Sequence, residues 1–184
     1  MKGAPNFIAW PDAVSGLWKI DFLRWLQQQT EIRYFVETGT CEGITPMYLH
    51  DYFIDLYTIE LHEGLYESSR KRLSEFKNVH QYLGDSRLIL PYILLDCIPT
   101  NEPVLLWLDA HGSGPHTAGN GDDPLAEELK IITSLCPQAL IVVDDMKDAT
   151  LHQELDPPGW HREFRTGEIL MHKEGTYSIQ PFEE

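Results

Sequence analysis

Apolar residues along the chain gather into five short runs rich in β-branched and aromatic side chains: RYFVE (33–37), LYTIE (56–60), VHQYLG (79–84), VLLWLDA (104–110) and ALIVVDD (139–145). Amphipathic stretches separate them, and this alternation predicts a parallel sheet with helical crossovers. The fourth and fifth runs are almost continuously apolar, the pattern of central strands buried on both faces. Among the intervening segments, HEGLYESSRKRLSEF brings Leu65, Ser69, Arg72 and Phe76 near one another with charged residues opposite, which predicts a helix. Further helices are expected over 44–53, 86–97 and 124–135. Upstream, Val14, Leu17, Trp18, Phe22, Trp25 and Leu26 follow helical spacing after Asp12 or Ser15 as N-cap, predicting an extra helix over 13–29. Its tryptophans fit burial against the sheet and, equally, the face of a homodimer.

Two segments break the rhythm. Residues 112–123, GSGPHTAGNGDD, form a Gly-rich loop directly after the fourth run, where an open α/β sheet places its ligand loops. The loop is expected to order when a ligand fills the crevice. In the tail, EFRTGEILMHK and TYSIQPF suggest two strands joined around Glu174-Gly175, an antiparallel hairpin. The stretch from Asp145 to Trp160 is too short for a full crossover helix with its loops. At 184 residues the chain fits a single domain, 1–184. Residues 1–32 would be an N-terminal helical extension and 33–184 the core.

Charge narrows the choice of partner. Fourteen basic residues against 29 acidic ones leave a formal charge of −15, which repels a phosphate backbone, so a nucleic-acid partner is not expected. No apolar stretch approaches the roughly 18 residues of a membrane span, and MKGAPNFIAWPD lacks the apolar run of a secretory signal. Cys41, Cys97 and Cys136 show no CxxC spacing, so reduced thiols and a cytoplasmic location are the expectation.

The candidate chemistry lies in where the acids fall. Glu37, Glu60, Asp85, Asp109 and the Asp144-Asp145 pair stand at or just past the ends of successive runs. In a parallel sheet all carboxyl ends share one edge, so these side chains converge on one crevice. Like charges gathered there need a ligand's hydroxyls, amines or a metal ion to satisfy them. The first run leads into Glu37-Thr38-Gly39-Thr40-Cys41-Glu42-Gly43, whose small residues permit a sharp turn and close approach to a ligand. This loop is not the GxGxxG of a dinucleotide site, since it opens with a carboxylate suited to a cationic amine. Glu60, at the next strand end, is placed to accept hydrogen bonds from two ribose hydroxyls.

These residues resemble the class I, Rossmann-like S-adenosylmethionine-dependent methyltransferases over about residues 33–182. The resemblance implies a doubly wound, mostly parallel seven-stranded α/β sheet with a C-terminal antiparallel hairpin. It also implies that the loop holding Glu37, Thr38, Gly39, Thr40 and Gly43 cradles the methionine part of S-adenosylmethionine, Glu60 its ribose, and Asp85 and Ser86 its adenine end. Asp109 would lie near the methionine amine and the reacting centre. LWLDAHGSGPHTAGNGDDPLAEEL and IVVDD resemble the bacterial branch related to macrocin O-methyltransferase and, more distantly, catechol O-methyltransferase. Those relatives hold magnesium with acids after strands four and five, which match Asp109, Asp144 and Asp145 here. Hard carboxylate oxygens suit Mg2+ in principle as well, and the alternative reading keeps Asp144 and Asp145 as a strand-end cap pair.

The implied activity is magnesium-assisted O-methylation of a small hydroxylated acceptor. His111 is the preferred base, with Asp109 in that role if no metal occupies it, and His116 third. Two other readings stand beside this one: a protein that binds the cofactor without turnover, and a nicotinamide-dependent oxidoreductase, which the missing GxGxxG disfavours.

Overall fold

The computed structural model describes residues 14–110, 123–145, 156–165 and 168–180. The five apolar runs are strands: β1 (Tyr34–Thr38), β2 (Asp55–Glu60), β3 (Val79–Leu83), β4 (Val104–Leu108) and β5 (Leu140–Val143). With β6 (Trp160–Arg165) and β7 (Glu168–Lys173) they form one seven-stranded sheet in the order β3-β2-β1-β4-β5-β7-β6. The first five are mutually parallel, and β7 runs antiparallel to both β5 and β6. This is the doubly wound sheet with a reversed C-terminal pair that the sequence predicts.

Helices cover both faces because the strands are apolar on both. Along β4, Val104, Leu106 and Leu108 face one cluster with Leu90, Ile93, Leu125, Leu129 and Ile132. Leu105 and Trp107 face the other, with Ile20, Phe22, Leu23, Leu26, Leu49 and Phe53. The first layer comes from α4 (Ser86–Tyr92), which widens into a π turn over Ile93–Cys97, and from α5 (Leu125–Leu135). The second comes from α1 (Val14–Thr30) and α2 (Ile44–Leu49), with α3 (Glu63–Leu73) beside α2. Continuous burial on both faces is why β1, β4 and β5 read as unbroken apolar runs. Trp18 and Trp25 pack against the second cluster, so both help to join α1 to the sheet.

The tail departs from the sequence expectation. The paired strands are Trp160–Arg165 and Glu168–Lys173, and the chain reverses between Arg165 and Glu168 rather than around Glu174-Gly175. Position in the sheet explains the difference. Ile169, Leu170 and Met171 are almost completely buried beside β5, whereas the more polar WHREFR takes the outer edge, as charged edge strands do. The segment after Gly175 does not pair. Tyr177 and Ile179 pack on the second cluster, and the Tyr177 hydroxyl donates to the Gln138 carbonyl at 2.6 Å.

No helix among the described residues is long and apolar enough to cross a membrane. All three cysteines are free thiols.

Candidate functional site

The carboxyl edge of β1, β2, β4 and β5 opens into a crevice of about 330 Å³ lined by Gly39, Cys41, Glu60, Gly84, Ser86, Asp109 and Asp145, among others. Its floor is stitched together by main-chain hydrogen bonds that cross between neighbouring strand ends. Gly39 and Thr40 both donate to the Ile59 carbonyl, Asp109 to that of Thr38, Asp144 to that of Leu108, and Gly84 to that of Glu60. The turn after β1 needs glycine at two points. Gly39 has φ +88 and lies against the Asp109 main chain, while Gly43, at φ +71, starts α2 against Ser69 and Leu73 on α3.

Glu60 is almost fully buried, and its two oxygens accept the main-chain amides of Cys41 and His62, each at 2.8 Å. A carboxylate has about four acceptor sites, so the remaining lone pairs can receive a ligand's hydroxyls. Glu37 is buried with Thr38 and Thr40, and it accepts the Thr58 hydroxyl at 2.6 Å. Burial pushes its carboxyl up to about 8 against the hydrogen bonds of Thr58 and Thr45, with the charges of Asp109 and Glu60 adding to the rise.

Asp85 has other work. It caps α4 by accepting the Arg87 amide at 3.0 Å, and it forms a two-pronged ion pair with the Arg87 guanidinium. Those bonds hold its carboxyl below the usual range. Its neighbour Ser86 lines the crevice, with its hydroxyl turned toward the buried carboxyl of Glu128.

At the β4–β5 end, Asp109, Asp144 and Asp145 each offer an oxygen within 4.8 Å of the others. The Lys19 ammonium from α1 reaches into this group, 2.8 Å from Asp144 Oδ2 and 3.0 Å from Asp145 Oδ1. It also lies 5.9 Å from the centre of the Trp107 ring. Burial alone would lower the Lys19 pKa, but hydrogen bonds and charges from the two aspartates outweigh it and hold the group above the ordinary lysine value. Asp109 is pushed up to about 8 by burial and then by Asp144 and Asp145. Glu168, the first residue of β7 and almost fully buried, also rises to about 8 through burial and the Asp144 charge. The Lys19 ammonium thus contacts Asp144 and Asp145 directly and reaches Asp109 and Glu168 through its charge. Asp145 meets the group from a left-handed backbone, φ +52, its amide bonded to the Asp144 carboxylate at 2.7 Å.

The structure thus brings Glu37, Thr38, Gly39, Thr40, Gly43, Glu60, Ser86, Asp109, Asp144 and Asp145 to one sheet edge and ties Asp85 to its own helix. His111, His116 and the 112–122 part of the loop lie outside the described residues. Sequence reasoning missed Lys19, Glu168 and Glu128. Glu128 carried a readable signal, because it falls between Leu125, Leu129 and Ile132 on the apolar stripe of α5. Lys19 carried none, since a lysine on an amphipathic helix reads as part of its solvated face.

No family model matches the sequence, and no curated protein is recognisably similar to it. Solved structures are. The O-methyltransferase TomG of Streptomyces achromogenes, involved in tomaymycin synthesis and solved with S-adenosylmethionine, superposes with a TM-score of 0.61 at 22% identity, over 90% of this chain and 83% of that one. An O-methyltransferase of Bacillus cereus, solved in complex with SAH, gives 0.63 at 16% identity, over 91% and 82%. An rRNA methylase of Streptococcus thermophilus gives 0.52 at 19%, over 91% and 99%. These neighbours differ in what they methylate, so the shared scaffold does not fix an acceptor. In strand order, strand direction and the reversed C-terminal pair, this chain has the Rossmann-like fold of the class I S-adenosylmethionine-dependent methyltransferases.

Proposed function

We propose that the chain is, as one domain, an S-adenosylmethionine-dependent O-methyltransferase acting on a small hydroxylated molecule with magnesium assistance. The observation that carries this reading is the crevice itself. A glycine turn packs on the end of β4, a buried carboxylate ends β2, and three aspartates with mutually close oxygens stand beside them. When bound, S-adenosylmethionine supplies a sulfonium methyl group, and magnesium supplies a cation that lowers the pKa of an acceptor hydroxyl.

The chain's own residues would do the rest. Glu37 and the Gly39 turn receive the amino-acid end of the cofactor, Glu60 accepts the ribose hydroxyls, and Ser86 borders the adenine end. Asp109, Asp144 and Asp145 form the hard-oxygen donor set that suits a divalent cation. The proton of the acceptor hydroxyl would go to a base, His111 or, where no metal occupies it, Asp109. The net charge of −15 supports a small acceptor rather than RNA.

Calorimetric titration with the cofactor and its demethylated product tests binding, with affinity expected in the micromolar range, roughly −8 kcal/mol. Methyl transfer to a panel of hydroxylated acceptors, with and without chelator, tests the reaction. Binding without turnover across the panel would favour a cofactor-binding protein. Full turnover in excess chelator would remove the metal from the reaction.

A further inference from the structure

The three-aspartate group already holds a cation that belongs to the chain. The Lys19 side chain bridges Asp144 and Asp145 at 2.8 and 3.0 Å. The aspartate oxygens around it lie within 4.8 Å of one another, so a metal ion held by all three aspartates would come close to the ammonium. Both are cations seeking the same lone pairs, and their mutual repulsion in a half-buried site is screened little by solvent.

The ammonium is held there by the fold. The residue after Lys19 is Ile20, almost fully buried, and Phe22, Leu23 and Leu26 continue the contact of α1 with the sheet. Trp107, whose ring lies under the ammonium, belongs to the same cluster. Its face attracts a cation. The residues that seat α1 therefore also aim Lys19 at the ends of β4 and β5. Asp144 is buried, and the Lys19 ammonium sets a positive charge against it and Asp145, whose own charges raise the carboxyls of Asp109 and Glu168.

We propose that the Lys19 ammonium is the resident counter-ion of the Asp109-Asp144-Asp145 site, and that a divalent cation binds there only by displacing it. The inference rests on reading the three aspartates as a cation site, and it adds a competitor that lowers the site's apparent metal affinity. Free metal concentration then decides which cation holds the acids. Magnesium, manganese and calcium, all suited to carboxylate oxygens, would meet the same competitor.

Mn2+ serves as the probe, its free concentration read by electron paramagnetic resonance in the presence of the full chain. Lys19→Met keeps an apolar stem of similar length on α1 and removes the charge. It is expected to bind Mn2+ at least tenfold more tightly than the unaltered protein, and Lys19→Met with Asp144→Asn should lose that gain. Equal affinity in the unaltered protein and Lys19→Met, with Asp144→Asn weakening both, would overturn the role of Lys19 and leave the metal site standing. Absence of Mn2+ binding in all variants would overturn this inference together with magnesium assistance. A parallel titration with the demethylated cofactor reads the cofactor crevice separately.

A second measurement needs no variant. The rate at which acetic anhydride acetylates Lys19, followed by peptide mass spectrometry, should rise several-fold on saturation with Mn2+, because a displaced amine is free to react. An unchanged or slower rate under saturating Mn2+ would show that the lysine stays in place, and would overturn the displacement even if Lys19→Met failed to fold.

Discussion

The main chain of Gly39 lies directly against the carbonyl of Asp109: a β-carbon on residue 39 would stand 2.5 Å from that oxygen. The turn after β1 and the end of β4 are thus in backbone contact, with no flexible side chain to yield. Gly39→Ala adds a steric clash to a φ of +88, and each is worth about 1–3 kcal/mol. Unfolding in urea is expected to show a loss of about 2–6 kcal/mol. Titration should show cofactor affinity reduced more than tenfold, since the turn must move away from Asp109. Near-native values in both measurements would mean that the turn is not a tight seat.

Glu60 is expected to act on the loop and the ligand together. Both of its oxygens accept main-chain amides, so Glu60→Gln places an NH2 group against an amide donor and removes a charge. Affinity for the demethylated cofactor should fall tenfold or more, about 1.4 kcal/mol. Calorimetry showing unchanged affinity would take Glu60 out of the site.

Glu37, pushed up to about 8 by burial, is mostly protonated at neutral pH. A cationic amine placed beside it favours the carboxylate, so cofactor binding should expel a proton. Release should be greatest between the ordinary carboxylate value of 4.5 and about 8, and should fade above that because the group is already ionised. Binding enthalpies in buffers of different ionisation heat measure it, with Glu37→Gln as the reference. The same buffer dependence in both proteins would assign the proton elsewhere.

Glu128 lies on α5 with no exposed surface, and neither of its oxygens makes a hydrogen bond of good geometry, although Ser86 and Thr38 are near. Burial pushes its carboxyl from 4.5 up to about 7. A raised folded-state value means that its contribution to stability is complete below pH 4.5 and is lost as pH rises through 7. Glu128→Gln, which cannot ionise, should exceed the unaltered protein at pH 8 by up to about 3 kcal/mol and match it at pH 4. Denaturant unfolding across that range checks the sign. A constant difference at all pH values would show that Glu128 is not the titrating group.

Strand positions were legible because burial on both faces leaves an unbroken apolar run, as in VLLWL and LIVV. Acids at the carboxyl ends of parallel strands were legible for the same geometric reason. Glu168 escaped that logic because β7 is reversed, so its first residue, next to Ile169, the partner of Val143, arrives where the parallel strands finish. A turn assigned at Glu174-Gly175 left Glu168 in the middle of a strand and hid this. Asp85 shows the opposite limit, since its place past β3 was read correctly but Arg87 two residues later claims its carboxylate. Lys19 lay beyond reach, because its partners are more than a hundred positions away and only the docking of α1 brings them together.

The seating of α1 also bears on how fast the aspartate site can change hands. Lifting the helix would expose Phe22, Leu23 and Leu26, at about 2 kcal/mol for each side chain, or on the order of 6 kcal/mol together. A swing of the partly exposed Lys19 side chain leaves all three in place. The helix is then a fixed post and the lysine a latch on it. Rotation about side-chain bonds takes picoseconds to nanoseconds at exposed positions, far less than the microseconds of collective helix motion. Exchange of cations at the sheet edge should therefore run at the pace of ion dehydration and arrival, with no slow rearrangement of the protein in its path.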